Sequence, residues 1–244
     1  MTTAFKQIVI VFLSIFLISC SSDEGTTENT IVPPTKPVPN AIKYLALGDS
    51  YTIGQSVCET CNFPTQLQAT LRAIYPQSST ALKIIATTGW TTSNLLSAIN
   101  VEKPEPNYDF VTLLIGVNNQ YQGKSFSIYE KEFPELVTKA ITLAKGDKKN
   151  VIVISIPDYA YTRFGQIQMG GQGEIISSEI DQYNSFAENY CKNNDIVFVS
   201  ITDITRQGLK NTSLVASDGL HPSESAYKLF NERILPKIII TLQD

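Results

Sequence analysis

Histidine is almost absent from this chain: among 244 residues there is one, His221. A metal site built from several histidines is therefore excluded, and any histidine-dependent chemistry must use that single side chain. Charged residues are also scarce, at 17% of the chain against roughly 25% in typical soluble domains, which excludes a charge-driven disordered protein. The balance is acidic, with 19 Lys and Arg against 23 Asp and Glu, and there is no basic run, so we expect no nucleic-acid partner.

Apolar residues, by contrast, make up 43% of the sequence, and one long apolar run lies near the N-terminus. Residues 8–18 read IVIVFLSIFLI, shorter than the roughly 20 residues that a membrane-spanning helix needs but typical of a signal peptide. The run ends in LISC at residues 17–20, which resembles the lipobox of bacterial lipoproteins. The resemblance implies that residues 1–19 are a cleaved signal peptide and that Cys20 is acylated. An uncleaved N-terminal anchor with an incidental cysteine is the alternative.

Residues 21–40 are polar and then proline-rich, with four prolines between Pro33 and Pro39. Such a segment has little to bury, so we interpret residues 20–40 as a lipidated cysteine followed by an extended tether. The remaining residues, 41–244, form one domain of ordinary size. The expected location is the cell envelope, with the lipid anchor as the only membrane contact, and we expect a monomer.

Three further cysteines lie in this domain. Cys58 and Cys61 form a C-x-x-C motif, which in a cytosolic chain could be a redox pair or half of a zinc site. No second C-x-x-C and no nearby histidine completes a zinc site, and in an oxidising compartment a local disulfide is the preferred interpretation. Cys191 falls on an apolar helical stripe and is expected to be a buried, inert thiol.

The domain alternates between short apolar runs and stretches with helical spacing. Several runs are hydrophobic at consecutive positions, as expected for strands with both faces covered. The candidate strands are Lys43–Leu47, Lys83–Thr87, Phe110–Ile115, Val151–Ile156 and Ile196–Val199. The candidate helices are Pro64–Tyr75, Ser93–Asn100, one centred on Pro134–Lys145, Ser177–Lys192 and one from Pro222 to about Leu235. This alternation predicts an α/β fold, in which helices cover both faces of a parallel sheet.

Prolines help to place the helix starts. Pro64 and Pro222 suit the first turn of a helix, where the missing N–H is not needed, and Pro134 is read as a helix start rather than an interior residue. His221 is then expected at a helix N-terminus, whose positive end disfavours an imidazolium. The carboxylate of Asp218, three residues earlier, can offset this effect and fix the tautomer of the imidazole.

Four of the loops that follow strands or precede the last helix contain reactive residue types. They read GDSYT at 48–52, TGWT at 88–91, GVNN at 116–119 and DGLHP at 218–222. Sites in parallel sheets form at the carboxyl ends of the strands, so the side chains of these loops should converge. A serine, a histidine and an aspartate can supply a nucleophile, its base and the group that orients the base. A glycine N–H and an asparagine amide can hold an oxyanion.

These blocks, in this order, resemble the four blocks of the SGNH, or GDSL, hydrolase family. The resemblance implies a flavodoxin-like three-layer α/β/α sandwich with about five parallel strands, and no metal or cofactor. It implies a triad of Ser50, Asp218 and His221, with the Ser50 N–H, Gly89 and Asn118 as the oxyanion hole. Many members have Asp where this chain has Asn119, and we expect this change to adjust local hydrogen bonds without abolishing activity.

Each assignment has an alternative that involves structure alone. Ser50 can be a helix N-cap, and Gly89 or Asn118 can simply be turn residues. Asp218 can fold its loop as an Asx-turn, and His221 can be a packed or surface residue. For Tyr51 and Trp90 the sequence allows two roles, lining a substrate cleft or packing in the core. The segment Asp158–Gly173 is either a flap near the site or a plain surface loop.

The resulting hypothesis is a membrane-tethered serine esterase that acts through a covalent acyl-enzyme. Its expected partner is a small-molecule or glycan ester, with small acyl (acetyl) esters of carbohydrates or lipids as the favoured substrates. A lysophospholipase or thioesterase of the same family is an alternative. Two other classes remain: a non-catalytic binding lipoprotein on this scaffold, which the intact Ser50, Asp218 and His221 argue against, and a thiol–disulfide protein that uses Cys58 and Cys61.

Overall fold

The computed structural model describes residues 40–243, all of which belong to one compact unit, Pro34–Asp244. The predicted signal peptide, Cys20 and most of the tether lie outside the described residues. Five parallel strands form one sheet in the order β2-β1-β3-β4-β5, which confirms the predicted α/β fold. The strands are β1 Ala41–Gly48, β2 Ser79–Ala86, β3 Phe110–Leu114, β4 Val151–Ile154 and β5 Val197–Val199.

Helices cover both faces of the sheet. They are α1 Ser50–Ile53, α2 Phe63–Ile74, α3 Thr92–Glu102, α4 Val117–Tyr121, α5 Phe126–Leu143, α6 Arg163–Gln168, α7 Gly173–Asn193, α8 Thr202–Thr205 and α9 Glu224–Gln243. Helices α2 and α9 pack together as one layer, and α3, α5 and α7 pack side by side as the other. Every residue of β3 and β4 is buried, because both faces of these central strands lie under helices. None of the helices in residues 40–243 is both long and apolar enough to cross a membrane.

The prediction that Pro134 starts a helix is wrong. Pro134 lies inside α5, which begins eight residues earlier at Phe126. Pro134 has no N–H to donate within the helix, but the buried Tyr129 and Phe133 pack against α7 and keep this segment helical. Tertiary packing therefore overrides the local preference of proline. Pro236 likewise lies inside α9, which continues to Gln243 rather than ending near Leu235. Pro64, in contrast, occupies the first turn of α2 as predicted.

Pro222 precedes its helix rather than starting it. It forms an isolated antiparallel bridge with Val215, and α9 begins at Glu224. The hydroxyl of Ser223 caps the helix by accepting a hydrogen bond from the Ala226 N–H at 3.2 Å. His221 is therefore anchored in a bridged loop before α9 and not in its first turn.

The segment Asp158–Gly173, predicted to be a loop or flap, is mostly helical. It contains a 3₁₀ turn, Tyr159–Tyr161, followed by α6. The Asp158 carboxylate accepts the Ala160 N–H at 3.0 Å, and the Thr162 hydroxyl accepts the Gly165 N–H at 3.1 Å. These two residues are ordinary helix caps, and this capping signal was available in the sequence.

Candidate active site

The loops at the carboxyl end of the sheet enclose a cleft of about 260 Å³. Ser50, Gly89, Asn118 and His221, four of the five predicted site residues, line it, and Asp218 contacts His221 from behind. Apart from Thr88, the remaining wall is largely aromatic and apolar, and is formed by Tyr51, Val117, Tyr121, Tyr159, Phe164 and Leu220. The fold thus brings together residues that lie as far apart in the chain as Ser50 and His221.

Ser50 is the first residue of α1, directly after β1. The N-cap of this short helix is Asp49, whose Oδ1 accepts the Tyr51 N–H at 3.0 Å. The alternative that Ser50 is a helix cap is therefore wrong. Its hydroxyl makes no hydrogen bond with any of residues 40–243 and remains available at the cleft. Gly48 allows this sharp turn, because a Cβ there would lie 2.6 Å from the Leu114 carbonyl oxygen.

Asp218 and His221 form a hydrogen-bonded pair. The Oδ2 of Asp218 lies 2.6 Å from the Nδ1 of His221, while Oδ1 accepts the N–H groups of Leu220 at 2.9 Å and His221 at 3.0 Å. Burial raises the pKa of Asp218, but its hydrogen bonds outweigh this effect and lower that pKa to about 2. Because the ionised carboxylate only accepts hydrogen bonds, a neutral imidazole carries its proton on Nδ1 and leaves Nε2 free. Asp218 is therefore both the centre of an Asx-turn and the partner of the histidine.

Aromatic packing fixes the histidine ring from its other side. The Tyr51 ring is tilted against the His221 ring, with centroids 5.0 Å apart. Tyr51 is buried and also lines the cleft, so both interpretations of this residue are correct. Trp90 is partly buried against the core, and its carbonyl oxygen accepts a hydrogen bond from Asn118 at 3.1 Å.

Asn118 is held by two acceptors. Its Nδ2 lies 3.1 Å from the Trp90 carbonyl oxygen and 3.3 Å from Oδ2 of Asp49. Both partners only accept when Asp49 is ionised, which orients the amide with its nitrogen toward them. Asp49 is fully buried, and burial raises its pKa to about 7 against the hydrogen bonds it accepts. An oxyanion would have to compete with these two acceptors for the Asn118 hydrogens.

Asn119, the position at which the chain departs from the family pattern, points away from the cleft. It is fully buried, its Oδ1 accepts the Thr92 N–H at 2.9 Å, and its Nδ2 donates to the Thr92 hydroxyl at 2.7 Å. The residue therefore ties α4 to the first turn of α3. Asn119 thus takes part in local hydrogen bonds, and its expected small effect on activity stays a prediction.

Gly89 has a positive φ of 83°, and a Cβ there would meet no atom within 4 Å. Its N–H makes no hydrogen bond with any of residues 40–243, whereas its carbonyl oxygen accepts Gln122 Nε2 at 2.8 Å. Gly89 therefore supplies the positive φ of this turn and also leaves its N–H free to donate a hydrogen bond.

The cysteines lie outside the cleft wall. Cys58 and Cys61 are joined in a disulfide within the loop between α1 and α2. Cys191 is a buried thiol on α7, as predicted, and burial raises its pKa to about 12. In the part of the chain that the structure describes, no three His, Cys, Asp or Glu side chains are grouped to hold a metal ion.

This fold and this cleft place the chain among the carboxylic ester hydrolases. The model of the GDSL-like lipase/acylhydrolase family matches residues 46–229, about three quarters of the sequence, and the chain belongs to that family. The match spans all four blocks and confirms the resemblance that they carry. Among curated proteins, none matches this chain in sequence.

Several solved structures share the fold. An acetyl xylan esterase from Geobacillus stearothermophilus is 20% identical with a TM-score of 0.60, over 81% of this chain and 94% of that one. A lipase/acylhydrolase from Enterococcus faecalis is 19% identical with a TM-score of 0.61, over 81% and 95%. A psychrotrophic esterase from a Pseudoalteromonas species is 17% identical with a TM-score of 0.57, over 83% and 99%. These similarities confirm the three-layer α/β/α fold.

Proposed function

We propose that the protein is a serine esterase in which Ser50 is the nucleophile, His221 the general base and Asp218 the residue that orients it. The observation that supports this most strongly is the 2.6 Å contact between Asp218 Oδ2 and His221 Nδ1, at a cleft that Ser50 also lines. Such an arrangement leaves Nε2 of the histidine to accept the proton of a serine hydroxyl. A Ser50–His221 hydrogen bond is not required beforehand, because catalytic hydrogen bonds often form only with substrate bound.

In the first half-reaction, Ser50 Oγ bonds to the ester carbonyl carbon while His221 Nε2 takes the hydroxyl proton. The carbonyl π electrons move to oxygen and give a tetrahedral oxyanion, held by the N–H groups of Ser50 and Gly89 and by Asn118. When the oxyanion collapses, the bond to the alcohol oxygen breaks and His221 protonates the leaving alcohol. Water then attacks the acyl-serine in the same way and releases the acid.

Asn118 must then change partners during the reaction. An oxyanion carries a full negative charge, whereas the Trp90 carbonyl is a neutral acceptor, so the amide hydrogen gains by shifting toward the oxyanion as it forms. The contact with Asp49 keeps the amide nitrogen near the cleft meanwhile. This arrangement favours the transition state over the substrate, whose carbonyl oxygen is a weaker acceptor.

The cleft favours a small acyl group on a ring-shaped alcohol. Its volume of about 260 Å³ lies just below the roughly 300–1,000 Å³ of common ligand pockets, which suits a small acyl ester better than a long acyl chain. The rings of Tyr121 and Phe164, with centroids 6.1 Å apart and planes tilted by 51°, give an aromatic wall against which a sugar ring can pack. We therefore propose acetyl or other short esters of carbohydrates as substrates; one structure of the same fold is an acetyl xylan esterase.

Short- and long-chain nitrophenyl esters, an acyl thioester and a lysolipid, together with acetylated xylo-oligosaccharides, test both the activity and the substrate class. We expect turnover of the acetyl esters and a decline as the acyl chain lengthens. Ser50→Ala, His221→Ala and the double variant should each lose activity by roughly a thousandfold or more. The loss in the double variant should be similar to that in each single variant, because the triad acts as a unit. An active Ser50→Ala protein would contradict the nucleophile assignment, and a preference for lysolipid or thioester would contradict the substrate class.

We also propose that the domain is anchored in the cell envelope through Cys20. The domain begins at Ala41, the first residue of β1, and β1 ends at Gly48, close to Ser50 and the cleft. Eight strand residues of roughly 3.3 Å each put the start of the domain about 26 Å from the cleft. A lipid anchor followed by this tether would leave the cleft open to substrates outside the membrane. Cys20→Ser should abolish fatty-acid labelling, while a protein that starts at Asn40 keeps full activity on small esters. Equal labelling of Cys20→Ser would contradict the anchor.

A further inference from the structure

The loop between α1 and α2 contacts the aspartate that holds the histidine. The hydroxyl of Ser56 donates a hydrogen bond to Oδ2 of Asp218 at 2.7 Å. This is the same oxygen that lies 2.6 Å from His221 Nδ1. Asp218 therefore accepts two hydrogen bonds on each oxygen, and Ser56 is the only donor among them that comes from outside residues 218–221, counting contacts within residues 40–243.

Two features of the loop place Ser56 in this position. Ser56 has a positive φ of 68°, a conformation that non-glycine residues rarely adopt, and it follows Gly54, which has a φ of 82°. Just beyond it, the Cys58–Cys61 disulfide closes a tight turn in which the Cys61 N–H also bonds the Cys58 carbonyl oxygen at 2.9 Å. The strained backbone is thus held between a glycine turn and a covalent crosslink.

The other end of the loop is also fixed. Asn62 caps α2 by accepting the Thr65 N–H at 2.9 Å, and its Nδ2 donates to the Glu59 carbonyl oxygen at 2.9 Å. Gln66 Nε2 binds the carbonyl oxygen of Cys61 at 2.7 Å. The crosslinked turn is therefore anchored to α2, a long helix in the α2–α9 layer, and cannot shift without breaking these bonds.

We propose that Ser56 is a positioning residue for the reaction, and that the Cys58–Cys61 disulfide fixes the loop that presents its hydroxyl to Asp218. The proposal rests on the serine-esterase function proposed above. Without Ser56, the internal bonds of residues 218–221 still fold the turn, but no other hydrogen bond from the rest of residues 40–243 holds the Asp218 carboxylate. The imidazole that binds this carboxylate would then be held on one side only, by the Tyr51 ring, and small changes in the geometry of a catalytic group strongly affect the rate.

The test compares Ser56→Ala and Ser56→Gly with Thr60→Ala in the full-length protein. Both Ser56 variants remove the hydroxyl, and glycine also relaxes the positive φ, so equal losses in the two assign the effect to the hydroxyl. We expect kcat on a short nitrophenyl ester to fall roughly three- to tenfold with KM unchanged, because substrate binding does not involve this contact. Thr60→Ala removes a hydroxyl of the same loop that contacts Cys58 Sγ and not Asp218; because it leaves both Ser56 and the disulfide in place, it should retain wild-type kcat.

The disulfide is tested by combining variants. Cys58→Ser with Cys61→Ser should lower kcat by about the same factor as Ser56→Ala, and adding Ser56→Ala should lower it no further, since coupled residues do not add. Full additivity would overturn the link between the disulfide and Ser56. Wild-type kcat in both Ser56→Ala and Ser56→Gly would overturn the positioning role.

The proposed function can fail separately from this inference. If wild type is active and Ser50→Ala is not, the esterase assignment stands whatever the Ser56 variants do. If Ser50→Ala keeps its activity, the esterase assignment fails and the role of Ser56 fails with it. Circular dichroism melting of each variant identifies any loss of kcat that reflects unfolding. If Ser56→Ala lowers both kcat and the melting temperature, the loss supports the positioning role only when Ser56→Gly loses kcat as well and Thr60→Ala does not.

Discussion

The two aspartates that lie behind the cleft, Asp49 on the oxyanion side and Asp218 on the base side, differ in how their charge is balanced. Asp49 is fully buried and accepts hydrogen bonds from the Tyr51 N–H and Asn118, and burial raises its pKa to about 7. Asp218 is partly exposed and accepts four hydrogen bonds, which lower its pKa to about 2 despite its burial. The comparison shows that the depth of burial and the number of donors together decide which carboxylate stays ionised.

The difference suits the two roles. In the proposed mechanism the base side needs a permanent negative charge beside His221, since an imidazolium would form there in each half-reaction. On the proposed oxyanion side a permanent negative charge would oppose the developing oxyanion, and a carboxyl with a pKa of about 7 is only about half ionised at neutral pH. Asp49 is thus suited to holding Asn118 in place, and Asp218 to stabilising charge.

The largest expected effect is that of Asp218→Asn. An amide oxygen can still accept Nδ1–H, but the amide can equally present its N–H and favour the wrong imidazole tautomer, and the charge is lost. We expect kcat to fall by roughly 10³–10⁴, as for other triads that lose this carboxylate. Steady-state kinetics on a nitrophenyl acetate test this, with Asp203→Asn, an exposed aspartate paired with Arg233, as the control. A fall of less than tenfold would show that this side does not need the charge.

Asn118→Ala should have the next largest effect. Loss of one donor to the oxyanion should lower kcat by roughly 10²–10³, with the fold retained. In the structure the Asn118 amide donates to the Trp90 carbonyl oxygen and to Asp49, so the predicted loss depends on the amide moving from these acceptors to the oxyanion. If Asn118→Ala leaves activity unchanged while Asn119→Ala abolishes it, the assignment of Asn118 as the oxyanion donor is wrong and the donor is Asn119.

A third prediction concerns stability and pH. The folded-state pKa of Asp49, about 7, lies above the unfolded value of roughly 3.9, so its stabilising contribution is full below about pH 4 and is lost as the pH rises to about 7. The difference in unfolding free energy between wild type and Asp49→Asn, from urea titrations, should shrink across this window. Asp218→Asn provides the contrast: the pKa of Asp218 is lowered, so its contribution is lost as the pH falls from about 4 to about 2. Equal pH dependence in the two variants would remove the distinction between the aspartates.

The smallest effect is expected from Asn119→Asp, which introduces the commoner family residue. The carboxylate cannot replace the Nδ2 donor that binds the Thr92 hydroxyl, and that hydroxyl already donates to Glu132. We expect activity to be retained and stability to fall by about 1–2 kcal/mol, the usual cost of an unsatisfied buried group. Thermal unfolding beside an activity assay checks this, and loss of activity without loss of stability would contradict it.

Sequence patterns predicted the sheet, the layers and the cleft residues, because buried parallel strands and ordered loop motifs leave local signals. Pro134 and Pro222 were misplaced because tertiary packing and a bridge to Val215 override local preference. The contact of Ser56 with Asp218 joins residues 162 positions apart, and nothing in the chain near Ser56 signals it. Asp49 as the helix cap could have been read from its position before Ser50, since aspartate is a favoured N-cap.

The central claim, that Ser50 forms a covalent intermediate, is tested most directly by labelling. An alkyl phosphonate ester, which mimics the tetrahedral intermediate, should inactivate the protein in proportion to the label bound, and peptide mass spectrometry should find the label on Ser50. Ser50→Ala should take up none, and His221→Ala should react far more slowly, because the hydroxyl then lacks its base. A label on any other residue, or stoichiometric labelling of Ser50→Ala, would contradict the account.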